Sequence, residues 1–84
     1  MESTREKVEA EIRDLLTERF GVPADRITPD AHLFEDLGLD SVDLMSAVAI
    51  LEERHDVSVS DGDLHGMFVV RGVVDRFAAL LDAA

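Results

Sequence analysis

The 84-residue chain contains no cysteine, which removes disulfides, thiolate nucleophiles and cysteine-based zinc sites from its chemistry. Trp and Tyr are also absent and aromatic residues make up only 5% of the chain, so platforms for stacking bases or sugars are excluded. Positive charge is scarce: 8 Lys and Arg stand against 19 Asp and Glu, a formal net charge of -11. A surface of that sign repels phosphate backbones and anionic lipid, which argues against nucleic acid and membrane as partners and for a basic protein. Long apolar runs are missing too. The longest, residues 44–51, falls far short of the roughly 20 residues a membrane span needs. Residues 1–10 are polar and charged, without the apolar core of a signal peptide, so a cytoplasmic location is expected. Asn and Gln do not occur, and Arg outnumbers Lys seven to one; this points to GC-rich coding DNA and carries no information about fold.

What is present is enough for one packed unit. Hydrophobic residues form 46% of the chain, which argues against disorder. No repeat, low-complexity segment or Pro/Gly/Ser-rich linker divides it, so residues 1–84 are expected to form a single monomeric domain. Ser3 and Glu6 have capping-box spacing ahead of an apolar stripe of Val8, Ile12, Leu15, Leu16 and Phe20, which is one face of a helix. Gly21 stands where a left-handed cap ends a helix, and Pro23 prevents continuation. Residues 22–39 form a long connection, but Ile27, Leu33, Phe34, Leu37 and Leu39 are too apolar for a free linker. A loop pinned to the core is expected, presenting something at its end.

A second helix should start at Asp40 or Ser41, both good N-caps, and run to about His55. Its apolar residues, Val42, Leu44, Met45, Val48, Ala49 and Leu51, cover more than one face. Ser60 and Asp63 repeat the cap spacing for a short turn of helix, with Leu64 and Met67 pointing inward. A last helix carries Val70, Val73, Val74, Phe77, Leu80 and Leu81. Val57-Ser58-Val59 alternates like a strand but has no partner with which to form a sheet. The expected fold is all-α: a small bundle of three main helices plus one short helix, with a long structured loop between helices one and two.

Ser41 is the residue with chemical potential. A hydroxyl at a helix N-terminus lies beside free backbone N–H groups and the positive end of the helix dipole, an arrangement that favours a phosphate there. Catalysis is a poorer reading. A nucleophilic serine needs a base within hydrogen-bond reach, yet His32, His55 and His65 are all at least nine residues away and no Gly-x-Ser-x-Gly elbow surrounds Ser41.

The segment Phe34-Glu35-Asp36-Leu37-Gly38-Leu39-Asp40-Ser41-Val42 resembles the attachment motif of acyl carrier proteins, in which an Asp-Ser pair followed by a Leu-like residue opens the second helix. The resemblance extends over nearly the whole chain, including the Glu52-Glu53 pair and the apolar last helix, and implies the acyl-carrier-type helical bundle. It implies that Ser41 is joined through a phosphodiester to 4'-phosphopantetheine taken from coenzyme A. The arm's thiol then carries acyl groups as thioesters, and the protein itself is a non-catalytic carrier. Asp40 is implied in recognition by the phosphopantetheinyl transferase, beside its simpler role as a cap. The implied pathways are fatty-acid or polyketide-type assembly.

Charge supports that reading. Between Asp30 and Asp63 lie ten acidic residues and one base, Arg54, a field able to steer basic-patched acyl-transfer, ketosynthase or related enzymes. Glu35, Asp36, Asp43, Glu52 and Glu53, with the apolar Val42, Met45 and Ala49, are the candidate partner face. Met45, Ala49, Val59, Met67 and Val73 are candidates for lining the space that the family uses for its acyl chain. Some positions depart from the family pattern. Val42 replaces the usual Leu, His55 a common buried aromatic, Ser46 a common acid and Ser60 a common Pro, which favours a specialised pathway over primary fatty-acid synthesis. A peptidyl carrier more often has His where this chain has Asp40. A carrier of aminoacyl or other unusual small acids remains open, as does an unmodified acidic interaction module.

Overall fold

The computed structural model describes residues 3–83; Met1, Glu2 and Ala84, the ends of the expected 1–84 unit, lie outside the described residues. Helix α1 spans Thr4–Phe20, α2 Ser41–His55, α3 Asp61–Leu64 and α4 Val70–Ala83. A 3₁₀ turn, Ala24–Arg26, interrupts the long connection. The architecture is the expected small all-α bundle.

Helices α1, α2 and α3 each start where a side chain accepts from the free N–H groups of the first turn. Ser3 Oγ accepts from the Glu6 N–H at 3.2 Å. That bond is one half of the predicted capping box. Ser60 and Asp63 close both halves at the start of α3. Gly21 ends α1 at φ +69°, its N–H donating to the Leu16 carbonyl. Asp56 ends α2 in the same left-handed region, at φ 53°, a conformation that short polar side chains tolerate better than most.

The core is built from the stripes read in the sequence. Val8, Ile12, Leu15 and Leu16 of α1 meet Leu44, Val48 and Leu51 of α2 and Val70, Val73, Val74 and Phe77 of α4. Phe77 and Met67 have no measurable exposure. Burying a side chain of this size contributes about 1.5–3 kcal/mol relative to leaving it in water, so this interior is the main source of stability.

The long connection is pinned as expected, through buried Val22, Ile27, Ala31 and Leu33 and half-buried Phe34, Leu37 and Leu39. Main-chain bonds also tie it to the segment before α4 and to the first turn of that helix. The Leu33 N–H donates to the Phe68 carbonyl at 2.8 Å, Val70 N–H to Ala31 at 3.0 Å and Arg71 N–H to Pro29 at 2.9 Å. His32 and Val69 form one antiparallel bridge. The loop therefore leaves the core at a set angle and enters α2 from a fixed direction.

Candidate functional site: the start of α2

Residues 38–43 convert the pinned loop into a helix over a few bonds. Gly38 adopts φ +72°, which an L side chain rarely tolerates. The Leu39 N–H then donates to the Leu33 carbonyl at 3.0 Å. Asp40 is the N-cap, so the helix begins at Ser41. The Asp43 N–H donates to Asp40 Oδ1 at 2.8 Å, and the Asp40 N–H donates to Asp43 Oδ2 at 3.2 Å. This reciprocal pair holds the backbone on both sides of Ser41.

Ser41 is exposed at the first helical position, and its hydroxyl takes no part in the side-chain hydrogen bonds of the described residues. His32 and His55 are both engaged elsewhere. Ser41 is accordingly not an activated nucleophile. Free N–H groups and the helix dipole make the position suitable for an esterified phosphate, so the residues present fit a phosphodiester-linked group.

The surface around Ser41 combines charge with uncovered apolar area. Val42 is 70% exposed and Met45 52%, and Ala49 is exposed further along the helix. Glu35, Asp36 and Glu53 are exposed, and Asp43 is half-buried by its cap. Glu52 is partly committed: its Oε2 accepts the Val59 N–H at 2.8 Å and so ties down the segment after α2. At the far end of α2, His55 Nε2 lies 2.6 Å from Glu11 Oε1, with Arg54 3.3 Å from Oε2 of the same carboxylate. This polar clasp joins the end of α2 to α1.

The five candidates for acyl-chain lining are not brought together. Met45 and Ala49 point to solvent, Val59 is half-buried, and Met67 is fully buried. Only Val73 borders the enclosed apolar cavity among α1, α2 and α4, whose other walls include Leu16, Leu39, Leu44 and Ala47. The cavity measures about 20 Å³, room for a single water-sized group. Near the short helix, hydrogen bonds from the Ser60 N–H and hydroxyl hold the Asp63 carboxyl below its ordinary value of 3.8, with Arg76 adding to the effect. Sequence reasoning missed a cluster on the loop, where His32, Phe34 and Phe68 pack with ring centroids 5.7 to 6.5 Å apart.

Comparison with known proteins decides the family. The family described as "Phosphopantetheine attachment site" matches residues 10–77. The chain belongs to the acyl carrier protein family. It is 38% identical over 71 residues to an acyl carrier protein of Saccharopolyspora erythraea, covering 84% of this chain and 75% of that one. An acyl carrier protein of Syntrophobacter fumaroxidans is 35% identical over 84% of this chain and 88% of its own length. Among solved structures, the acyl carrier protein from Enterococcus faecalis superposes with a TM-score of 0.76 at 28% identity, covering 90% of this chain and 96% of that one. As an acyl carrier protein the chain is a non-catalytic carrier bearing covalent 4'-phosphopantetheine. Membership also implies a phosphopantetheinyl transferase, acyl-handling enzymes and acyl cargo as its partners.

Proposed function

We propose that Ser41 is the attachment residue and that residues 1–84 act as one monomeric cytoplasmic carrier unit, delivering acyl groups in fatty-acid or polyketide-type assembly within a specialised pathway. The observation that supports Ser41 is its exposed place at the first position of α2, between the Asp40 cap and the uncovered Val42. When bound, the prosthetic arm supplies the thiol that the chain, without cysteine, does not possess. The residues of this chain do the rest. Asp40 and Asp43 hold the helix start, Asp40 meets the transferase, and Leu37 and Leu39 anchor the approach.

Glu35, Asp36, Asp43 and Glu53 steer basic enzymes toward the arm, and Val42, Met45 and Ala49 add a small apolar contact once the partner has arrived. Glu52 contributes charge while holding the Val59 backbone. Met45 suits varied partners because its unbranched side chain adapts to different surfaces. An acyl chain lying between the helices would have to widen the cavity beside Val73, with Met67 and Val59 next in line. Met45 and Ala49 would serve the outer surface.

Incubation with coenzyme A, magnesium and a promiscuous phosphopantetheinyl transferase, followed by intact mass, tests the carrier reading. One phosphopantetheinyl adduct is expected. No adduct would leave the chain as an unmodified acidic interaction module. Mass spectrometry of protein from its native host identifies the cargo, and a straight-chain primary fatty acyl group would contradict the specialised setting. For steering, transferase affinity should fall with salt and on Asp43→Lys; a flat response to both would remove the acidic face from the account.

A further inference from the structure

We propose that His32 is the positioning residue of the loop that presents Ser41, and that it acts only as the neutral ring with its proton on Nε2. The proposal rests on Ser41 being the modified residue. Five hydrogen bonds converge on His32. Its Nδ1 accepts from the Phe34 and Glu35 N–H groups, each at 3.2 Å. Its carbonyl accepts from the Asp36 N–H at 2.9 Å and the Leu37 N–H at 3.1 Å. Its own N–H donates to Asp36 Oδ2 at 2.7 Å. The imidazole thus caps a tight turn as a serine or asparagine side chain would.

The ring is held by aromatic neighbours as well. It stacks on Phe68, with centroids 6.5 Å apart and planes 12° apart, and meets Phe34 edge-on at 5.7 Å. The backbone of His32 bridges to Val69. From this turn the chain runs directly through Leu37, Gly38 and Leu39 to the Asp40 cap and Ser41. The ring therefore sets the direction in which the loop reaches the attachment residue.

An Nδ1 that accepts two N–H groups carries no proton of its own. Protonation replaces that acceptor with a donor facing two donors, and the turn loses the bonds that close it. The charged groups around the ring are Glu35 and Asp36 on the same turn and, upstream, Asp30, which is paired with Arg71 of α4 at 2.7 Å. Phe68 and Val69, on the segment packed against the ring, carry no charge. Glu35, Asp36 and Asp30 are exposed to solvent. Asp36 is also occupied with the His32 N–H and not with the ring.

The test compares wild type with His32→Asn and His32→Ala, following three readouts across pH: the imidazole tautomer by nitrogen NMR, exchange protection of the Phe34 and Glu35 amides, and the rate of transferase loading. Expected in the wild type are the Nε2–H tautomer and a loss of amide protection that follows ring protonation. His32→Asn offers a non-titrating oxygen to the same N–H groups, so protection and loading should persist and the Asn-to-wild-type loading ratio should rise on acidification. His32→Ala should slow loading by about fivefold, the scale of one net hydrogen bond. An Nδ1–H tautomer, an Asn-to-wild-type ratio flat with pH, or undiminished loading of His32→Ala would overturn the proposal. If His32→Ala does not fold, the Asn comparison still decides. If even wild type takes no adduct, it is the Ser41 reading that fails, while tautomer and amide protection still judge the turn.

Discussion

Helices α2 and α4 are nearly equal in length, 15 and 14 residues, and both are rich in apolar side chains, yet they use them differently. In α4, Val70, Val73, Val74, Phe77 and Ala78 are all buried. In α2 only Leu44, Val48 and Leu51 are buried, while Val42 and Met45 stand in solvent. The apolar content of α4 is accounted for by packing, and that of α2 is not. The surplus lies next to Ser41, the first helical residue of α2, and within the acidic stretch.

The comparison can be broken most forcefully in the core. Phe77→Ala should destabilise the protein by about 3–5 kcal/mol, whereas Met45→Ala should cost less than about 0.5 kcal/mol; denaturant unfolding of both variants measures the contrast. Similar losses would mean that α2 is packed as fully as α4. Next is Gly72→Ala. A Cβ at Gly72 would lie 1.9 Å from the Gly66 carbonyl oxygen, main chain that cannot step aside without moving the start of α4. Alanine favours helix by about 1 kcal/mol over glycine, so net destabilisation by about 1–3 kcal/mol in thermal unfolding identifies the close approach. A gain in stability would show that α4 has slack there.

A smaller effect sharpens the picture at α2. Asp40→Ala removes the cap and should cost about 1 kcal/mol, with exchange protection lost first at the Asp43 amide. The smallest effect concerns α3. Because Asp63 titrates below 3.8 when folded, its carboxylate contributes stability that is complete above the ordinary carboxylate range. That contribution is lost as pH falls through the lower folded value. Asp63→Asn should therefore weaken α3 at neutral pH and flatten its acid response, read from amide exchange at Leu64.

Periodicity and cap chemistry made most of the fold legible in the sequence. The α1 stripe, Gly21 as its terminator, the Ser60–Asp63 cap and the apolar face of α4 all depend on neighbours within one turn, so residue order alone reveals them. The start of α2 was legible to within one residue, and the structure makes Asp40 the cap and Ser41 the first helical residue. What stayed hidden depends on distant segments meeting. The cluster of His32, Phe34 and Phe68 joins residues on two connections, and the Gly66–Gly72 approach depends on how the segment after α3 folds back. Nor could periodicity say which of two apolar faces of α2 meets the core. From residue order alone Met45 and Ala49 suit the interior as well as the surface, and only the packed structure turns them outward. The Glu52 bond to Val59 is likewise a tertiary feature, since an acidic pair reads as solvated charge until its partner is known.

The central claim is that the exposed start of α2, and no other part of the molecule, receives the prosthetic group. The chain has five serines, Ser3, Ser41, Ser46, Ser58 and Ser60, all of them exposed, so exposure alone does not choose among them. Fragmentation mass spectrometry of the transferase-loaded protein, with Ser41→Ala loaded in parallel, measures the choice directly. The account predicts a single adduct on Ser41 and none on a folded Ser41→Ala. An adduct on any other serine, or one that survives that substitution, would contradict it.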